Sequence, residues 1–125
     1  MRWIVDGMNV IGSRPDGWWR DRNHAMTALV HRLEQWATTE GADVTVVFEQ
    51  PPSPPIDSSV ITVAHAPEPA ANSADDEIVR ILRADHHPER IRVATSDRAL
   101  SERVQAAGAS VYPAERLRDL IDPRS

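Results

Sequence analysis

Three short apolar runs in this chain each stop on an acid, and that pattern limits what the chain can fold into more than any other feature. Trp3–Ile4–Val5 stops on Asp6, Val44–Thr45–Val46–Val47–Phe48 on Glu49, and Ile91–Arg92–Val93–Ala94–Thr95 on Ser96–Asp97. Such runs suit strands buried on both faces. A carboxylate placed directly after one is expensive to bury unless something pairs with it. In open α/β sheets, ligands bind at the carboxyl ends of the strands. Ser73–Ala74–Asp75–Asp76–Glu77 then opens a helix that should follow a further strand. Carboxylates delivered by separate elements to one sheet edge make a site for a hard cation, and all-oxygen ligands suit magnesium or manganese.

The rest of the chain supplies the elements such a sheet needs. Strand one covers roughly residues 2–5, and Gly7 lets the chain turn at once. Residues 13–17, Ser-Arg-Pro-Asp-Gly, are loop chemistry. A helix should run from about residue 21 to 39, with Ala25, Met26, Leu29, Val30, Leu33 and Trp36 spaced by three and four, and Gly41 ending it. Strand two covers about residues 43–48. The stiff Pro51–Pro52–Ser53–Pro54–Pro55 cannot be helical; it reads as a rigid loop, with a proline-rich docking ligand as the alternative. Strand three is expected at residues 59–64 and a helix at 74–84, with the Pro- and Ala-rich residues 66–72 between them. Strand four is expected at 91–95, a helix at 98–107 ended by Gly108, and strand five at 110–112. Pro113 should open a last helix at its first position. Residues 122–125 read as a frayed tail. Alternating buried strands and helices imply a three-layer α/β/α sandwich built as one domain over residues 1–125.

Composition narrows the chemistry. The chain has 125 residues, enough for one core. It has no cysteine and no lysine, which removes disulfides, thiolate metal sites, P-loops and Schiff bases. A formal net charge of −5 argues against broad nonspecific nucleic-acid binding, although acids gathered at a metal site also lower the total. No segment is long and apolar enough for a signal peptide or membrane span, so a cytoplasmic protein without membrane contact is expected.

Each acid also has a structural reading. Ser73 could cap its helix with Asp76 completing a capping box, and Asp75 and Glu77 suit the helix dipole. Asp75 and Asp76 point about 100° apart around a helix and need not share a role. Asp97 could cap the helix after it, and Glu49 could be a polar strand end. His86–His87 suits a helix terminus; the other histidines lack zinc-ligand spacing. Trp18–Trp19, flanked by Arg14, Arg20 and Arg22, are either lids on the core or platforms for stacked bases. Ser13 and Ser96 have no triad partners.

Asp6–Gly7–Met8–Asn9–Val10–Ile11–Gly12, Val46–Val47–Phe48–Glu49, Ser73–Ala74–Asp75–Asp76 and Ala94–Thr95–Ser96–Asp97 together resemble NYN domains of the PIN-like nuclease superfamily, most nearly the bacterial YacP-like ribonucleases. The resemblance covers nearly the whole chain. It implies a mostly parallel sheet of about five strands in the order 3-2-1-4-5 and metal-dependent cleavage of RNA phosphodiesters. Position by position, Asp6, Asp75 and Asp97 match the acidic centre, and Asn9 the polar residue beside it. Glu49 stands where relatives usually carry aspartate, one methylene longer, so it could act through water; Asp76 is a further candidate ligand.

The mechanism that follows has Asp6, Asp75 and Asp97 holding one or two Mg2+ or Mn2+ ions, with Asn9 and Ser96 orienting carboxylates and waters. Arg14, Arg20, Arg22 and Arg98 are candidates for phosphate contact, alongside Trp18 and Trp19 for bases. The product should carry a 5′-phosphate. RNA is the expected partner, with the ribosome or a translating mRNA as further candidates, and the protein is expected as a monomer or weak homodimer. The competing readings are an RNA- or ribosome-binding module that does not cleave, a PIN-type toxin ribonuclease, and a phosphatase of another α/β class. The last lacks the second aspartate such enzymes place two residues after the first.

Overall fold

The computed structural model describes residues 1–68 and 73–122. Five strands, β1 (Arg2–Asp6), β2 (Asp43–Phe48), β3 (Thr62–His65), β4 (Ile91–Ala94) and β5 (Ser110–Tyr112), form one sheet in the order β3-β2-β1-β4-β5. Every pairing is parallel, and Asp6 lies level with Val47 on β2. The helices are α1 (Gly7–Ile11), α2 (Arg22–Glu40), α3 (Ser73–Ala84), α4 (Arg98–Ala106) and α5 (Ala114–Ile121). The expected α/β/α sandwich and strand order are therefore present.

Strand periodicity divides the core into two layers. Trp3, Val5, Val44, Val46 and Phe48 face α1, α2 and α5, where Val10, Ile11, Leu29, Val30, Leu33 and Leu117 pack. Ile4, Val47, Ile91 and Val93 face α3 and α4, meeting Ile78, Leu82, Leu100 and Val104. Because β1 is central and covered on both faces, Ile4 and Val5 are fully buried.

Several boundaries differ from expectation, each for a local reason. Gly7 does not turn the chain away; it begins α1. Its glycine identity answers to close approach, since a Cβ there would lie 2.5 Å from Phe48 Cε1. The third strand starts at Thr62 rather than 59, because Ser58 Oγ accepts from the N–H groups of Val60 and Ile61 and bends that segment. Asp21 caps α2 by accepting from His24 N–H, and Gly41, at φ +63°, ends it. Pro113 sits one position before α5 in extended conformation, its carbonyl accepting from Arg116 and Leu117. Trp18–Arg20 and Pro88–Arg90 form single 3-10 turns. The proline-rich segment is pinned to α2, where Asn23 Oδ1 accepts from Ser53 N–H, in line with a rigid loop. His86 and His87 lie beyond the end of α3, and His87 pairs with Glu89. Residues 69–72 of the stretch before α3, and 123–125 of the tail, lie outside the described residues. Among the described residues no helix is long and apolar enough to cross a membrane.

Candidate functional site

The carboxyl edge of the sheet gathers the acids. Asp6 ends the central strand with only 6 % of its surface exposed. Burial removes its hydration and pushes its pKa from 3.8 to about 7. A hydrogen bond from Thr95 opposes the rise, while the charges of Asp75, Asp97 and Glu49 add to it. Asp75, half-buried in the first turn of α3, is pushed to about 6 by burial and then by Asp97, against the opposing pull of Arg103. Four carboxylates from the ends of β1, β2 and β4 and the start of α3 thus stand close enough to repel one another.

Hydroxyls and an amide hold this edge together. Thr95 Oγ1 donates to Asp6 Oδ2 at 2.8 Å and accepts from Asp97 N–H at 3.1 Å. One side chain therefore ties the ends of β1 and β4. Asp97 Oδ1 accepts from Leu100 N–H at 2.9 Å, capping α4. Asn9 Oδ1 accepts from Ser96 N–H at 2.8 Å. Ser96 Oγ donates to Glu115 Oε2 and accepts from Ala114 N–H, fixing the start of α5 beside it. That hydrogen bond lowers the pKa of Glu115. Ser73 Oγ donates to the Glu49 carbonyl, joining α3 to the end of β2.

The remaining candidates separate by environment. Asp76 is exposed and turned to Arg103 of α4, whose Nη1 donates to it at 2.9 Å; it does not share the buried position of Asp75. Arg14 is drawn away from the edge, bridging Asp119 and Asp122 at the end of α5. Arg98 is exposed with Glu102 3.8 Å away. Trp18 is half-buried against the core, with the Arg22 guanidinium 5.4 Å from its ring centre. Trp19 is 52 % exposed. One of the pair thus serves as a lid and the other faces outward. Arg20 has no partner among the described residues.

Thr95 and Glu115 are absent from the sequence-derived site. Thr95 had a signal, a hydroxyl between a strand and an acid. Glu115 had none, because its contact with Ser96 spans 19 positions.

Oxygen is the only donor type at this edge, and no arginine forms an ion pair with Asp6, Glu49, Asp75 or Asp97 among the described residues. That fits a hard divalent cation. Among the described residues, however, no three His, Asp or Glu side chains are arranged to hold an ion as they stand. Mg2+ characteristically keeps several waters and takes only one or two carboxylates directly, so an incomplete direct shell is compatible with that metal.

Residues 3–124 match the family model described as the YacP-like NYN domain. The fold is similar to the crystal structure of Rae1 (YacP) from Bacillus subtilis, with a TM-score of 0.79 and 25% identity over 99% of this chain and 76% of that one. A mutant of the same Bacillus subtilis protein gives a TM-score of 0.77 at 25% identity, covering 98% and 77% of the two chains. Comparison with curated proteins returns no match.

Proposed function

Since the chain belongs to the YacP-like NYN domain family, we propose that it is a metal-dependent endoribonuclease that hydrolyses RNA phosphodiester bonds in the cytoplasm. The observation that carries this reading is the gathering of Asp6, Asp75, Asp97 and Glu49 at the carboxyl edge of a parallel sheet, where burial and then the neighbouring charges push Asp6 and Asp75 up. Carboxylates kept in such a group, at a cost to folding, need a counter-charge that Arg103 supplies only in part.

Asp6, Asp75 and Asp97 would hold Mg2+ or Mn2+, with Glu49 reaching it through water. When bound, the ion supplies an attacking water activated near neutral pH and counter-charge for the phosphate. The protein's own part is positional. Thr95 sets the Asp6 carboxylate through its hydroxyl, and Asp97 is held by the helix it caps. Asn9 ties α1 to the exit of β4 through Ser96 N–H. Asp76, paired with Arg103, tunes the field around Asp75 rather than joining the ligand set.

Purified protein assayed on structured RNAs with magnesium, manganese or chelator tests this reading. Cleavage that needs the metal, yields 5′-phosphate ends and disappears in Asp6→Asn is expected. Metal-independent cleavage would overturn the role given to the ion, and RNA binding with no cleavage under any metal would replace the reading with a binding module.

A further inference from the structure

A cleft between the end of α1, the first turns of α2 and the face of α5 lies apart from the acidic edge. Its volume is about 250 Å3, and Asp16, Trp18, Arg20, His24, Arg32 and Arg118 line it. The carboxylates around it are committed. Asp16 accepts from Arg118 Nη2 at 2.8 Å, and Asp21 caps α2. Two of the guanidiniums are not. Arg20 and Arg32 have no hydrogen-bond or ion-pair partner among the described residues. The Arg118 side chain is only 7 % exposed. Its Nη1 reaches the Val10 and Ile11 carbonyls at a long 3.4 Å, and its Nε has no partner. A buried guanidinium whose Nε lacks an acceptor carries a desolvation cost, and the two unpaired arginines of the same cleft are free to take an anion.

We propose that this cleft binds a phosphate group of a single-stranded RNA, gripped by Arg20 and Arg32, with the Arg118–Asp16 pair lining the cleft beside them and Trp18 forming the aromatic wall beside the nucleotide. The inference rests on RNA being the substrate. Planar guanidinium forks match phosphate oxygens in pairs, and an indole wall suits a base or ribose better than an acidic peptide. The position suits a strand that also crosses the acidic edge. Asp6 precedes α1 and Ile11 ends it, and a five-residue helix is about 7 Å long.

The test is fluorescence anisotropy with an RNA of about ten nucleotides, in chelator so that neither cleavage nor metal at the acids contributes. Arg20→Gln, Arg32→Gln and the double variant remove no internal contact, and thermal melts check that they fold. Each single change should weaken binding roughly tenfold. The double variant should flatten the slope of log affinity against log salt by about 0.7, one phosphate contact in a single strand. Arg83→Gln, at an arginine of α3 with no ion-pair partner among the described residues, controls for charge alone. Unchanged affinity and slope in the double variant, or equal weakening by Arg83→Gln, would overturn the proposal. Cleavage measured in parallel with magnesium keeps the two readings apart. A wild type that cleaves while the double variant binds equally well removes the cleft alone. Binding lost in the double variant, with no cleavage under any metal, removes the nuclease reading and leaves the cleft.

Discussion

Burial strips the Asp6 carboxylate of water, and three neighbouring carboxylates repel its charge. Asp6→Asn removes that charge and leaves an oxygen for the Thr95 hydroxyl. In chelator at pH 8 the variant should be more stable than wild type, by roughly 1–3 kcal/mol. Magnesium or manganese should then no longer raise its melting temperature. Equal metal-induced shifts in the two proteins would count against a site at Asp6. Thr95→Val works in the opposite direction. It leaves Asp97 N–H and Asp6 Oδ2 without their partner, which should cost about 1–3 kcal/mol in thermal or urea unfolding. Gly7→Ala would force a methyl into the Phe48 ring and within 3.1 Å of the Val47 carbonyl. A loss of about 1–3 kcal/mol is expected from such overpacking, and a variant as stable as wild type would show that the ring yields freely.

At the scale of elements, the acids stay in place because strand ends and helix starts are tied in pairs. Thr95 links the end of β1 to the exit of β4, Asn9 links α1 to that same exit, Ser73 links α3 to the end of β2, and Ser96 links the exit to α5. Between α3 and α4 runs the exposed Arg103–Asp76 pair. Arg103→Ala should therefore change stability by less than about 1 kcal/mol. Its effect on Asp75 should be plainer. Arg103 holds the Asp75 pKa down, so its removal should move that pKa up and carry the acid limb of the cleavage pH profile to higher pH. A profile that stays put would separate Asp75 from the rate.

Across the whole molecule the raised carboxylates set how stability depends on pH. Asp6 and Asp75 rise from 3.8 to about 7 and about 6 in the folded chain. Folded protein thus holds protons that unfolded protein releases, and stability falls as pH climbs from about 4 through 7. Glu77, Asp85, Glu89 and Glu115 are lowered by their partners, so their contribution is present above the unfolded values and is lost as pH falls below about 4. Metal-free protein should accordingly melt highest near pH 5 and lower at pH 8. A bound cation competes with those protons, so the stabilisation by magnesium should grow from pH 5 to pH 8. Melts across pH in chelator and in magnesium read both trends. Stability in chelator that climbs steadily from pH 5 to 8 would contradict the raised pKa values.

The strands, the long helix and its caps follow from residues a few positions apart, and these were legible in the sequence. Apolar runs name β1, β2 and β4, three-and-four spacing names α2, and Asp21 and Gly41 bound it. The acids at the strand ends were visible for the same reason, and the family resemblance supplied the strand order that alternation alone leaves open. Tertiary packing decided what each side chain meets. Neighbours in the chain, Asp75 and Asp76, part company because one faces inward among acids and the other meets Arg103, 27 positions away. Arg14 is drawn to Asp122 across 108 positions, and Arg118 to Asp16 across 102. Local periodicity depends on backbone geometry within a turn or a pleat. Burial and charge pairing depend on which distant segments meet, and only the folded sheet with its helices brings those segments together.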